Sequence, residues 1–177
     1  MYKHSPTDKE IKEMYGLLPD KIAFTPFQIA LVIAGGVCLA GSVLWLAWQW
    51  QGISDIIPTH YGLSGRANSW GSKQSLWWML ATSGGLYGVI TVLLFFPKLW
   101  NMPPFRYAKE DIVWVFVQGR TMLCILAFEI VVLFGVLNYY AAMAKALPFG
   151  ALFLPVSMVA LLAPVVYCWR KLKKRAL

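Results

Sequence analysis

The chain has 177 residues, 59% of them hydrophobic and 14% charged, with a formal net charge of +8. A soluble domain carries about a quarter charged residues, so this composition excludes an ordinary water-exposed globule. The basic residues cluster beside apolar runs rather than on one polar face, so the positive charge is a topological signal and not a nucleic-acid-binding one.

Residues 7–18 read TDKEIKEMYGLL. Thr7 and Glu10 have the spacing of a capping box, and Ile11, Met14, Tyr15 and Leu18 fall on one helical face. This predicts a short amphipathic helix on the membrane surface, within a cytoplasmic or interfacial segment 1–25. The transmembrane domain then spans 26–177.

Roughly 20 apolar residues cross a bilayer core. Ile22–Ser54, Gln74–Pro97 and Ala146–Trp169 carry no charge, and Val117–Tyr140 carries only Arg120 and Glu129. The prediction is an all-α integral membrane protein with four helices near 26–50, 74–97, 117–141 and 147–169. The first run follows more than twenty mostly polar residues and exceeds a signal-peptide core, so it is expected to stay in the mature protein.

Small residues in the first span (Ala30, Ala34, Gly35, Gly36, Ala40, Gly41) and the second (Ala81, Gly84, Gly85, Gly88) predict close packing between the two. Pro155 and Pro164 predict a kink in the fourth. Cys38, Cys124 and Cys168 all lie in spans without a C-x-x-C pair, which reads as packed thiols rather than a disulfide framework or zinc site.

Thirteen Lys and Arg flank the termini and the loop between spans two and three, and three flank the other side. The positive-inside rule puts both termini in the cytoplasm and loop 51–73 outside, with the basic tail 170–177 at lipid headgroups. Trp45, Trp48 and Trp50 before this loop, and Trp70, Trp77 and Trp78 after it, form an interfacial belt that keeps it near the bilayer. Ser72 is placed to cap the second span.

Three chemistries are open on the residues alone. Glu129 sits about 18 Å along its helix from the entry point, near mid-membrane, and nine residues from Arg120, on the opposite face. A carboxylate there must be protonated, paired or in a wet interior. Ser42, Tyr87, Thr91 and Ser157 are the lateral partners expected for it, and a small proton-coupled transporter centred on it is one reading. His60 and Asp55 are a sparse metal set, since zinc takes three or four protein ligands and His4 lies across the membrane; a metal protein or enzyme is the second reading. No nucleophile–base constellation, phosphate loop or H-E-x-x-H occurs, so the third reading is a non-enzymatic binding protein without cofactor.

The stretch SDIIPTHYGLSGRANSWGSK resembles the bacterial membrane domain of unknown function that opens the Sdp-immunity-type (SdpI) proteins. The matching positions are Asp55, Pro58, His60, Tyr61, Gly65, Trp70, Gly71, Ser72 and Lys73. NMPPFRYAKEDIVWVFVQGRTML is a second, weaker match, and together they cover roughly residues 30–125. Arg66 and Asn68 depart from the acidic residues usual there, and the longer C-terminal part of the immunity proteins has no counterpart. The resemblance implies a bacterial inner-membrane protein that protects against a secreted toxic peptide or signals to a cytoplasmic regulator. It makes the outer loop, with Arg66 included, the recognition element.

Overall fold

The computed structural model describes Thr7, Lys9, Lys12, Glu13, residues 16–19, 22–100, Phe105 and residues 107–176. The amphipathic segment expected over 7–18 lies largely outside these residues. Among the described residues four helices are long and apolar enough to cross a membrane, and the chain is a multi-pass membrane protein. They are α1 (Pro26–Gln49), α2 (Ser75–Leu93), α3 (Ile112–Ala142) and α4 (Phe153–Arg175). Between α1 and α2 stands an antiparallel hairpin of β1 (Ile56–Tyr61) and β2 (Ala67–Ser72). The all-α expectation is corrected by this hairpin. Its β1 sequence, IIPTHY, is rich in β-branched and aromatic residues, which suit a half-buried strand.

α3 is the hub, packed against α1, α2 and α4. The sequence predicts a polar extension starting around Ala108 ahead of a membrane entry near Val117, and a single 3-10 turn at Lys109–Asp111 leads directly into Ile112. The small residues of α1 and α2 do bring those helices together: Gly35 lies against the Tyr87 ring, and Tyr87 Oη donates to Val32 O. Gly41, Gly85 and Gly88 face open space instead.

α4 begins six residues later than the expected 147 and runs through the basic tail to Arg175. The reason is local: Pro148 precedes Phe149 and Gly150, whose φ of 60° and 54° cannot continue a helix. Pro155 therefore falls in the first turn, where a missing N–H costs nothing, and only Pro164 interrupts the interior. The tail is tied to α3 by Arg175 Nε to Asp111 Oδ1 at 2.9 Å and Lys171 Nζ to Gln118 Oε1 at 2.9 Å.

The α1 entry is locked by polar contacts. Thr25 and Gln28 form a reciprocal capping box with Pro26 in the first turn. Gln28, fully buried, also donates to Val117 O at 3.1 Å and Thr121 Oγ1 at 2.8 Å on α3. Arg120 is 2% exposed, donates from Nη1 to the carbonyls of Ile22 (2.9 Å) and Ala23 (3.2 Å), and lies 4.3 Å over the Phe24 ring. Arg120 is thus a clamp on the α1 entry.

Candidate functional site: a hairpin over one end of the bundle

Ile57, 1% exposed, points from β1 into a cluster with Leu46, Ile53, Leu76, Leu80, Ala141 and Ala142. Burying such a side chain stabilises by about 2 kcal/mol, so the hairpin sits on the bundle end rather than floating above it. Pro58 beside it is buried as well. A two-stranded ribbon has only edge strands, so proline's missing donor is tolerated there.

Four backbone devices fix the hairpin. Gly65 N donates to Gly62 O at 2.9 Å and closes the turn, with Gly65 at φ +73°. Gly65 O accepts from Leu147 N of the α3–α4 linker at 2.8 Å. A Cβ on Gly65 would stand 2.6 Å from Gly150 O, so two glycines meet backbone to backbone. A Cβ on Gly71 would stand 2.9 Å from the Thr59 methyl, so this glycine lets the strands pass at the bulge around Thr59. Tyr61 adds a side-chain tie, donating to Lys145 O at 3.1 Å, and burial pushes its phenol above the usual range.

Lys73 closes the hairpin base. Its Nζ donates to Ile53 O (3.2 Å) and Trp50 O (3.4 Å), lies 4.9 Å over the Trp50 ring, and pairs with Asp55 Oδ1 at 3.0 Å. The carbonyls belong to the 3-10 turn Trp50–Gly52 and its cap, where α1 ends, so the ammonium also suits the negative end of that helix. The Lys73 side chain is 15% exposed and the Asp55 side chain 90% exposed. Lys73→Met is expected to destabilise the protein by about 2 kcal/mol, because two carbonyls lose their donor. Asp55→Asn should cost below about 1 kcal/mol, as exposed pairs do. Chemical unfolding of both variants checks this; equal effects would make the ion pair, not the carbonyl cap, the purpose of Lys73.

Ser72 does not cap α2 as expected. Gln74 is the N-cap and makes no side-chain cap bond. Ser72 lies at the end of β2, its hydroxyl bonded to Gln74 Oε1 and accepting from Gln74 N at 3.4 Å, so it shapes the strand-to-helix turn.

The remaining signature residues face out. His60, Arg66 and Asn68 are exposed, and Trp70 is 55% exposed. His60 Nδ1 lies 2.6 Å from Asn68 Oδ1. With Nδ1–H donating to that oxygen, Nε2 of the neutral ring is the acceptor. Asn68, atypical on sequence grounds, is therefore the residue that orients His60. Reading 60 across from 68 needs the turn register, which the bulge between Pro58 and Tyr61 shifts. His60 and Asp55 do not come together: five residues of extended chain separate them by roughly 16 Å, and Asp55 is paired with Lys73. Among the described residues no three His, Cys, Asp or Glu side chains could hold a metal.

Glu129 stands apart from the hairpin. Its Oε2 is buried without a hydrogen-bond partner. Of its expected neighbours, Ser42 donates to Cys38 O and Tyr87 to Val32 O, while Thr91 Oγ1 is also buried and unpartnered. By helical phase Glu129 lies on the side of α3 that carries Gln118, which faces Lys171 of α4. Sequence reading missed Gln28, Asn138 (Nδ2 to Leu76 O, 2.9 Å) and the linker that receives the hairpin. Thr25-Pro-x-Gln28 was a visible signal for the first; the others are contacts over more than sixty residues.

One family model matches, a domain of unknown function (DUF1648), over residues 37–83. Those residues are the second half of α1, the whole hairpin and the first half of α2. No curated protein matches the chain, and no solved structure does. The chain thus carries a DUF1648 match centred on the hairpin that caps its helical bundle.

Proposed function

We propose that the protein is a non-enzymatic binding protein of the immunity or signalling kind, in a bacterial cytoplasmic membrane. The hairpin faces outward and recognises an extracellular peptide. The observation that carries this is the division of labour within the hairpin. Pro58, Gly65, Gly71 and Lys73 are consumed in mounting it, while His60, oriented by Asn68, and Arg66 and Trp70 are left exposed. Trp70 also belongs to the interfacial belt, but an oriented imidazole and Arg66 stand exposed on the same hairpin, and Trp and Arg are what recognition surfaces use. The resemblance of the hairpin to the SdpI signature supports the same reading. The thirteen-to-three distribution of Lys and Arg supports the orientation, and the inner basic surface then offers a docking site for a cytoplasmic regulator.

The test is protection. The protein is expressed in bacteria sensitive to secreted membrane-active peptides, with Ser64→Cys as a topology reporter for an impermeant maleimide on intact cells. Labelling and a raised inhibitory concentration are expected. His60→Ala and Trp70→Ala should each lower protection by about tenfold, one hot-spot contact, at unchanged membrane abundance. Protection equal to wild type in both variants would remove the hairpin from recognition.

A second reading rests on Glu129, whose buried Oε2 lacks a partner. In a proton-coupled transporter this carboxyl would carry the proton, and α4, interrupted at Pro164, would move against it. Glu129→Gln should then abolish proton flux in proteoliposomes; flux that survives the change sinks this reading.

A further inference from the structure

Between α1 and α3 runs a lateral groove of about 530 Å³. Its size is that of an ordinary small-molecule site, roughly 300–1,000 Å³. It is open on the flank of the bundle, where Cys38 and Gly41 are exposed, and so it faces lipid. The groove follows α1 from Cys38 to Trp45, about 11 Å at 1.5 Å per residue, which fits within one leaflet of a core roughly 30 Å thick.

Its origin is in the side chains. Ser42 meets Gly135 closely, an added Cβ there standing 3.2 Å from Ser42 Oγ, while an added Cβ on Gly41 would meet nothing within 4 Å. The helices therefore come close at Ser42 and Gly135 and leave open space beside Gly41. Two polar side chains of the groove are already bonded within the bundle: Ser42 to Cys38 O, and Asn138 to Leu76 O. What remains is a mostly apolar channel between the two helices. At its hairpin end stand Trp45 and Tyr139, with ring centroids 5.3 Å apart. Lys145 Nζ lies 5.8 Å over the Tyr139 ring. Lys145 is exposed, and no described carboxylate pairs with it.

An apolar channel at acyl-chain depth, an aromatic collar at its end and an uncompensated ammonium beyond the collar match the parts of one amphiphile. We propose that the groove holds one acyl chain of an anionic phospholipid from the hairpin-side leaflet, with its phosphate paired to Lys145. The site does not depend on what the hairpin recognises.

Native mass spectrometry of the detergent-purified full chain with added phosphatidylglycerol tests this. Wild type should retain one lipid per protein under activation that strips the detergent. Gly41→Leu puts an isobutyl group into the channel from a Cβ that meets nothing within 4 Å, and should lower that adduct by about tenfold. Lys145→Glu leaves the channel intact, reverses the head-group charge and should lower it several-fold. Should Gly41→Leu fail to fold, Lys145→Glu still decides. Adducts equal in both variants and wild type would overturn the proposal. A lipid-free wild-type dimer that Gly41→Leu converts to monomer would also overturn it, by giving the groove to a second copy.

Discussion

Gly65→Ala is expected to cost about 3 kcal/mol and to release the hairpin from the α3–α4 linker. Two independent penalties add at this position. The residue holds φ +73°, a conformation costing an L side chain about 1–2 kcal/mol. The new methyl would also stand 2.6 Å from Gly150 O. That oxygen is backbone, in a segment pinned by Gly150 N to Leu147 O at 3.2 Å and by Leu147 N to Gly65 O at 2.8 Å. Relief requires the linker and the tip to separate. That gives up the Leu147–Gly65 bond and loosens the Tyr61–Lys145 bond, about 1 kcal/mol each. Ile57 stays anchored near the hairpin base, so the damage is graded: the tip undocks, and the bundle holds. Proteolysis within residues 62–66 should accelerate while the helical signal is kept. Gly52→Ala is the control, since nothing lies within 4 Å of its added Cβ and its φ is ordinary. A Gly65→Ala protein that unfolds and is cleaved like Gly52→Ala would show that the glycine contact carries no weight.

The four spans were legible because charge-free runs of bilayer length have few other uses. Their ends were less so, for reasons that differ by helix. The start of α3 was legible to within a few residues, because the chain turns helical soon after its prolines end, at Lys109–Asp111 and then Ile112. The start of α4 was misjudged because Phe149 takes a left-handed φ that its residue type does not advertise. The hairpin was read as a loop, although IIPTHY followed by a glycine-bounded turn carried a strand signal. Period-2 alternation is absent: Ile57 and Pro58 are both buried, and the strand bulges beyond them. The hairpin's residues could be picked out in sequence, but not which of them hold it to the bundle and which stand exposed. Lys73 and Trp70 look equally polar-interfacial in sequence. Only the return of Lys73 to the end of α1 separates them.

The α1 entry gives the second large effect, and it is a test of coupling. Arg120→Met is expected to cost about 3 kcal/mol, since charge-assisted bonds to two carbonyls are worth roughly 1.5–3 kcal/mol each and the relief of desolvation offsets part of that. Gln28→Leu, a change that keeps the volume, should cost about 2 kcal/mol. It removes half of a capping box, about 1 kcal/mol, and two contacts between helices, about 0.6 kcal/mol each in membranes. The two residues hold the same few residues of chain. Arg120 grips Ile22 and Ala23 from α3, and Gln28 ties Thr25 to Val117 and Thr121 of the same helix. Once either grip is lost, the segment before α1 moves from α3 and the other bond lengthens with it. The double variant should therefore cost less than the two singles together, by about 1 kcal/mol. Equilibrium unfolding of the four proteins in mixed micelles measures the difference. Additivity within about 0.3 kcal/mol would mean that the two side chains act on separate parts of the bundle, and that the α1 entry is not one clamp.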